Sequence, residues 1–396
     1  MCSPSLFRTL APLLLLTTCV LCSPLRAADR RIAEGPLSQS PTPERPATVL
    51  QAEKPSQATD PKSPDNESGP LFPVVKGEIW GFIDKTGQLV IQPMYRSASA
   101  FFNGLSTVLV GEKRGYIDKT GKIVIPLQYL GAATFSEGLA LVWVGKIRSK
   151  WNPGPSVLGV SSAVGKWGYI DTAGQMVIPP QYYKAGGFHE GMAAIYTGEK
   201  GMGKGGFIDK TGQMIIPPEY SDTTGFSEGL AGAKTRGKWG FIDKTGHMVI
   251  APQYDDANEF SEGLADVKVG RKRGYIDKMG KMVIPPQYDD IKLDCKGKSF
   301  SEGLAAVKID KKWGYVDKTG SMVIPSQFSD AFTFSEGLAA VKIDRKWGYV
   351  DKTGKVVIPP QFDNAECFFN GLAPVNVDGK LGYIDNTGKY VWALTK

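Results

Sequence analysis

Residues 300–325 read FSEGLAAVKIDKKWGYVDKTGSMVIP, and the way this stretch divides decides the fold. Leu304 to Ile309 is a short apolar run ended by the polar pair Asp310-Lys311, which predicts a strand (a) and a tight turn. Lys312 to Val316 predicts a second strand (b). Asp317-Lys318-Thr319-Gly320 follows, with an aspartate that can bond the backbone two residues on and a glycine for the left-handed position of a type I turn with a G1 bulge. Met322 to Ile324 predicts a third strand (c), closed by Pro325. Helical periodicity is absent, so the unit is a three-stranded antiparallel meander.

The pattern recurs outward in both directions. A glycine, an aromatic, an aliphatic and Asp stand at Gly81-Phe82-Ile83-Asp84 and return at Gly115, Gly168, Gly206, Gly240, Gly274, Gly314, Gly348 and Gly382, with spacings of 34, 53, 38, 34, 34, 40, 34 and 34 residues. A fixed period broken only by insertions is the mark of a repeat array. The longest insertion, Ile147 to Val164, falls in the a–b hairpin of the third unit, where Trp151, Pro153 and Pro155 predict a protruding loop. Residues 71–396 thus form one domain of nine repeats. The expected class is all-β, an open, twisted, solenoid-like stack of nine three-stranded antiparallel meanders, with a closed β-propeller-like ring as the alternative. The open form is favoured because every unit is complete and in phase, whereas many propellers split one blade between the termini. Three strands in 34 residues is also lean for a four-stranded blade.

The strings Lys-Trp-Gly-Tyr-Val-Asp-Lys-Thr-Gly, Val-Ile-Pro-Pro-Gln-Tyr/Phe and Phe-Ser-Glu-Gly-Leu-Ala, recurring in that order from about residue 71 to 396, resemble the bacterial WG (KWG) repeat family. That family is defined by its repeat, so the resemblance implies no catalytic residues. The hairpins are also distantly similar to choline-type cell-wall-binding repeats.

Comparison between units separates core from surface. The residue after the anchor glycine is always Phe or Tyr, which predicts core. The residue before it is Trp80, Trp167, Trp239, Trp313 or Trp347, but also Arg114, Gly205, Arg273 and Leu381. A fully buried site rarely accepts arginine, so this column is expected to be half exposed. It serves either as a cover over a turn or a neighbouring strand, or as a ladder of aromatic platforms for sugar rings or a peptide. The candidate ligand-binding residues are therefore these five tryptophans, together with Trp151.

Chemistry beyond binding is not indicated. His189 and His247 stand where other units carry Ser, or Gln, Lys and Ser, and neither has a repeated acidic or cysteine partner. No Cys/His spacing suits a metal, and the turn aspartates are explained as caps rather than calcium ligands. The glutamates Glu137, Glu190, Glu228, Glu262, Glu302 and Glu336 alternate with Asn103 and Asn370, which points to polarity at that place. The chain is read as no enzyme, with no cofactor and no metal site.

Residues 1–28 resemble a signal peptide: Arg8, an apolar run from Leu10 to Cys22, then Ala27-Ala28. That run is too short to remain as a membrane span, and Cys19 and Cys22 lack the small residue that precedes a lipidated cysteine. Residues 29–70 are rich in proline and serine without an aromatic, and predict a disordered linker. Cys295 and Cys367 are expected to be two thiols, not a disulfide. The formal charge of +7 is spread over every repeat, which argues against a nucleic-acid surface. The chain is expected to be exported, to the periplasm or beyond the cell, without a lipid anchor. Its expected partner is a cell-envelope polysaccharide such as peptidoglycan, or alternatively an envelope protein.

Overall fold

The computed structural model describes residues 69–147, 163–198, 203–294 and 297–395. The expected signal peptide, most of the linker, Trp151 and Cys295 lie outside these residues. Nine separate antiparallel sheets follow one another along the chain, and no strand is shared between them. Strand a begins blade 1 at Phe72–Lys76, followed by Ile79–Ile83 and Leu89–Tyr95. Blade 7 is built from Leu304–Ile309, Lys312–Val316 and Met322–Phe328, as the repeat predicts.

Blades 2 to 9 hold one strand more than the sequence reading gives, and blade 7 a second, Phe300–Ser301, also paired with strand a. A short strand, Ser97–Ala98 in blade 2 and Asp290–Ile291 in blade 7, pairs with the far side of strand a. It immediately follows the strand c of the preceding blade. Among the described residues only blade 1 has three strands. Strand a is buried along most of its length, whereas strand c alternates between exposed and buried positions. Strand c is therefore the outer edge of each blade.

Two glycines of the repeat are set by close approach. The anchor glycine of strand b faces a bulge in strand c, and a Cβ at Gly240 or Gly314 would lie 2.3 or 2.6 Å from the carbonyl of Ile250 or Ile324. The turn glycine faces the previous blade. Gly354, at φ +84°, would put a Cβ 3.0 Å from Ile324, and Gly280 would meet Ile250 at 3.1 Å. One residue thus answers to a left-handed turn and to an interblade joint.

Each joint centres on an aromatic pair. The strand b aromatic of one blade meets the loop phenylalanine of the next: Tyr116 and Phe135 at 4.9 Å, Phe241 and Phe260 at 4.9 Å, Tyr315 and Phe334 at 4.8 Å. Where that aromatic is Tyr116, Tyr169, Tyr315 or Tyr349, the hydroxyl donates to the next blade's backbone, as in Tyr169 to the Gly186 carbonyl at 2.7 Å and Tyr315 to that of Phe332 at 2.7 Å; the buried Tyr275 hydroxyl makes no such bond.

The same joint recurs between the two ends of the chain. The Tyr383 hydroxyl of blade 9 donates to the Pro73 carbonyl at 2.7 Å, and its ring meets Phe72 of blade 1 at 5.7 Å. Phe72, Val74, Ile83, Leu372 and Tyr383 share one buried cluster. The array therefore closes into a nine-bladed β-propeller. Of the two expected arrangements the ring forms, and the open stack, though favoured, does not. Among the described residues no sheet joins strands from both ends of the chain, and side chains make the closure. Phe72, on strand a, supplies the ring that a loop phenylalanine supplies elsewhere.

Candidate binding surfaces of the ring

The tryptophan column lies inside the joints. Trp80, Trp239, Trp313 and Trp347 are 4–7% exposed, and only Trp167 is half-buried. Trp313 packs with Ala331 and Phe334 of the following blade, and Trp347 with Ala365 and Phe368. Lys308 and Lys342 lie over these two rings at 5.5 and 5.8 Å. The expected half-exposure is thus corrected for these four rings, which offer no open face for a sugar to stack on. The bland alternative, a cover between neighbouring strands, describes them. Trp143, in the lengthened hairpin Leu139–Ile147 and Ala163–Asp171 of blade 3, stacks edge-on to Trp167 at 5.2 Å.

The arginine that suggested exposure is accommodated by a second substitution. Arg273 pairs with Asp256 and with Asp266, which also accepts from Asn258 at 3.0 Å. Asp266 is fully buried. Burial pushes its carboxyl up in pKa and Arg273 pulls it back. Across from the strand b aromatic, other blades carry Gly232, Ala306 or Ala340 in that place. An aspartate in a column of small residues, in the same unit as an arginine in the tryptophan column, was the available signal.

The loop glutamates form a charged girdle. Glu190 accepts from the Gly229 N–H of the next blade at 3.0 Å and pairs with Lys244 there at 3.1 Å. Glu137, Glu228, Glu262 and Glu302 repeat both contacts with Lys210, Lys278, Lys318 and Lys352. Burial pushes the Glu190 carboxyl up, but Lys244 and the Gly229 N–H outweigh it and hold it below the usual range. Each glutamate stands in the left-handed region, as Glu190 does at φ 53° and Glu302 at 57°. That conformation costs about 1–2 kcal/mol for a residue with a Cβ. Asparagine tolerates it better, and takes the place in blades 2 and 9 (φ 50° and 53°). Their following blades carry Thr172 in place of the lysine, or no loop glycine. The requirement is therefore a carboxylate that reaches the next blade, more specific than polarity.

The turn aspartates act as caps. Asp243 accepts from the Thr245 hydroxyl at 2.6 Å and from the N–H groups of Thr245 and His247, chiefly the first, and is held below the usual carboxylate range. His189 and His247 are both exposed. His189 neighbours Glu259, whose carboxyl burial pushes up although the Gly225 N–H binds it at 3.0 Å. Cys367 is half-buried. Among the described residues no group of three or more His, Cys, Asp or Glu could hold a metal ion, and no helix is long and apolar enough to cross a membrane.

The outer edge carries an apolar band. The first residues of strand c are exposed in every blade: Val90, Ile123 and Val124, Met176 and Val177, Met214 and Ile215, Val249, Val283, Met322 and Val323, Val356 and Val357, and Tyr390, at 36–45%. Proline follows within strand c in each of the first eight blades, for example Pro93, Pro252 and Pro325. It removes N–H donors from a free edge, which blocks indiscriminate strand addition.

Comparison with known proteins agrees with this architecture. A family model described as "WG containing repeat" matches residues 80–113, 115–146, 167–200, 206–239, 239–272, 274–313, 313–347 and 347–380. No curated protein matches. Among solved structures, one titled "Crystal structure of the eukaryotic initiation factor" is similar over 83% of this chain and 97% of its own, at 13% identity and TM-score 0.56. Kluyveromyces lactis Hsv2p is similar over 66% of this chain and 94% of its own, at 11% identity and TM-score 0.37. At such identity the first likeness supports the fold alone, and the second carries no argument. The ring is the kind of repeat scaffold that serves as a binding module, and with eight family matches across residues 80–380 the chain belongs to the WG repeat family.

Proposed function

We propose that the ring is a non-enzymatic protein-binding scaffold working outside the cytoplasm, with the outer apolar band as its contact surface. One observation carries this reading: four of the column tryptophans are buried while Met, Val and Ile side chains stand exposed on the outer strand of blade after blade. Contiguous exposed apolar surface on a folded protein is a common mark of a protein contact site. Methionine suits such a contact because its side chain adapts to irregular partners. The edge prolines direct recognition to side chains instead of backbone pairing. The envelope-polysaccharide reading depended on open indole faces, and the residue types of the band offer a sugar few hydrogen bonds. The composition of residues 1–28 supports export.

A photo-crosslinking residue placed at Val323, Val177 or Lys311 in cells tests the proposal. The expected result is a discrete polypeptide adduct from the two band positions and none from Lys311 on the hairpin turn, with the adduct in the envelope fraction or the medium. Sedimentation of the intact chain with isolated peptidoglycan, with no polypeptide adduct from the band, would overturn it in favour of a glycan. Retention of residues 1–28 on a cytoplasmic protein would overturn the export reading.

A further inference from the structure

On one face of the ring an aspartate after strand c ties the a–b turns of neighbouring blades together in blades 5, 6 and 8, where blades 1 to 4 and 7 carry Arg96, Leu130, Tyr183, Ser221 and Ser329. Asp255 accepts from the Lys238 ammonium of its own blade at 2.5 Å and from the Gly270 N–H of the next blade's turn at 2.7 Å. Asp289 does the same for Lys272 at 2.6 Å and the Asp310 N–H at 3.0 Å. Asp363 repeats it for Lys346 at 2.6 Å and the Asp378 N–H at 2.7 Å. The arrangement is one carboxylate held between an ammonium and a turn N–H.

Blade 7, between two blades that keep this bridge, departs from it. Ser329 follows Phe328 where aspartate follows Tyr254, Tyr288 and Phe362. Its hydroxyl donates to the Lys342 carbonyl at 2.9 Å. No carboxylate of blade 7 therefore joins Lys312 to the turn of blade 8, where Asp344 supplies the equivalent N–H. Among the described residues Lys312 enters no ion pair, whereas Lys238, Lys272 and Lys346 each do. A cleft of about 440 Å³ opens here, lined by Lys312, Ser329, Asp330, Lys342, Asp344 and Arg345. Of its two carboxylates, Asp330 is already engaged by Lys292 at 3.0 Å, so the balance of charge is positive. Ser221 repeats the change in blade 4, whose own hairpin turn includes residues outside the described structure.

We propose that this cleft takes a carboxylate from outside the chain, an aspartate or glutamate side chain of a protein partner, in the place that Asp255, Asp289 and Asp363 fill in the sister blades. The sister blades supply the template: the missing ligand is an amino-acid carboxylate, reaching Lys312 and the Asp344 N–H together. Lys342 and Arg345 flank that place on the open surface. This rests on the protein-binding reading and names one chemical determinant of the partner.

The test measures fluorescence polarisation of a labelled glycine-glutamate peptide with the full exported chain, beside Ser329→Asp and Lys312→Ala. The expected result is binding that falls at least tenfold in each variant and is absent for the same peptide carrying glutamine. Ser329→Asp rebuilds the sister arrangement, so an unfolding midpoint no lower than that of the unsubstituted chain shows it folded. Equal binding by the unsubstituted chain and Ser329→Asp, or no binding by either, overturns the proposal. So does competition by polygalacturonate at lower carboxylate concentration than by the peptide, which would make the ligand a uronic acid. A Val323 crosslink that persists in Ser329→Asp, with no effect on peptide binding, would leave the scaffold reading standing and remove this inference alone.

Discussion

The joint between blades 7 and 8 and the seam between blades 9 and 1 do the same task with different parts. The regular joint stacks Tyr315 on Phe334, sends the Tyr315 hydroxyl to Phe332, seats Gly354 on Ile324, and adds the Glu302 bridge to Gly337 and Lys352. The seam keeps the tyrosine hydroxyl and the ring pair but borrows Phe72 from strand a, and it has Asn370 where the girdle would place glutamate. The Cβ space at Gly87 is bounded by the Val391 backbone instead of an isoleucine side chain. The aromatic pair is thus the invariant of a joint, and the tyrosine hydroxyl and the charged girdle are additions to it.

The largest effect should come from Tyr383→Ala. Removing a ring that is 5% exposed costs about 3–5 kcal/mol in a core. Here the loss should appear first as faster amide hydrogen exchange in blades 1 and 9. Tyr315→Ala should cost a similar amount but raise exchange around blades 7 and 8, flanked by intact joints. Identical exchange maps for the two would erase the distinction between seam and joint.

Gly354→Ala comes next, because a Cβ there meets Ile324 at 3.0 Å in a backbone at φ +84°. The expected loss is about 2–3 kcal/mol, read by chemical unfolding. A cost below about 0.5 kcal/mol would mean that the joint is looser than described.

Much of this was legible in the repeat and some was not. Alternation and turn chemistry gave strands a, b and c and the Asp317 cap because those signals lie within a few residues. The two-residue strand Asp290–Ile291 has no room for a pattern, so the fourth strand was missed and the unit looked too lean for a blade. Closure depends on Tyr383 meeting Pro73 across 310 residues, a contact that local periodicity does not encode. The tryptophan column was misread through Arg273, because burial of an arginine is acceptable once Asp266 and Asp256 accompany it. The apolar band was missed because Met322 and Val323 look like core when strand c is not known to be an outer edge.

Acid should separate the two regions further. The depressed girdle carboxyls Glu137 and Glu190 stabilise the fold fully above their ordinary range near pH 4, and that contribution is lost as pH falls through their lowered values. The joints bridged by Glu137 and Glu190, between blades 3 and 4 and blades 4 and 5, should weaken below about pH 4, while Phe72 and Tyr383 at the seam do not titrate there. Glu190→Gln should cost about 0.5–1 kcal/mol at neutral pH, given its exposure, and reduce the acid dependence. Unfolding midpoints against pH check both. An unchanged acid profile in the variant would remove the girdle from the account of joint stability.

The smallest effect is a gain. Lys311 sits at φ 66° in the a–b turn of blade 7, where Gly237 and Gly379 stand in two other blades. Lys311→Gly should stabilise by about 0.5–1 kcal/mol. A loss would show that the lysine side chain contributes more than its backbone costs.

Closure itself is tested most directly by the distance between the chain's two ends. Spin labels at Glu78 and Asp378, both exposed on a–b turns of blades 1 and 9, with the five native cysteines replaced by serine, report it by pulsed dipolar spectroscopy. A closed ring places them on neighbouring blades, about 10–25 Å apart once label length is added to the sheet spacing. An open stack of nine sheets at about 10 Å each would put them roughly 80 Å apart. The account predicts the short distance as a single population, and the long one would contradict it.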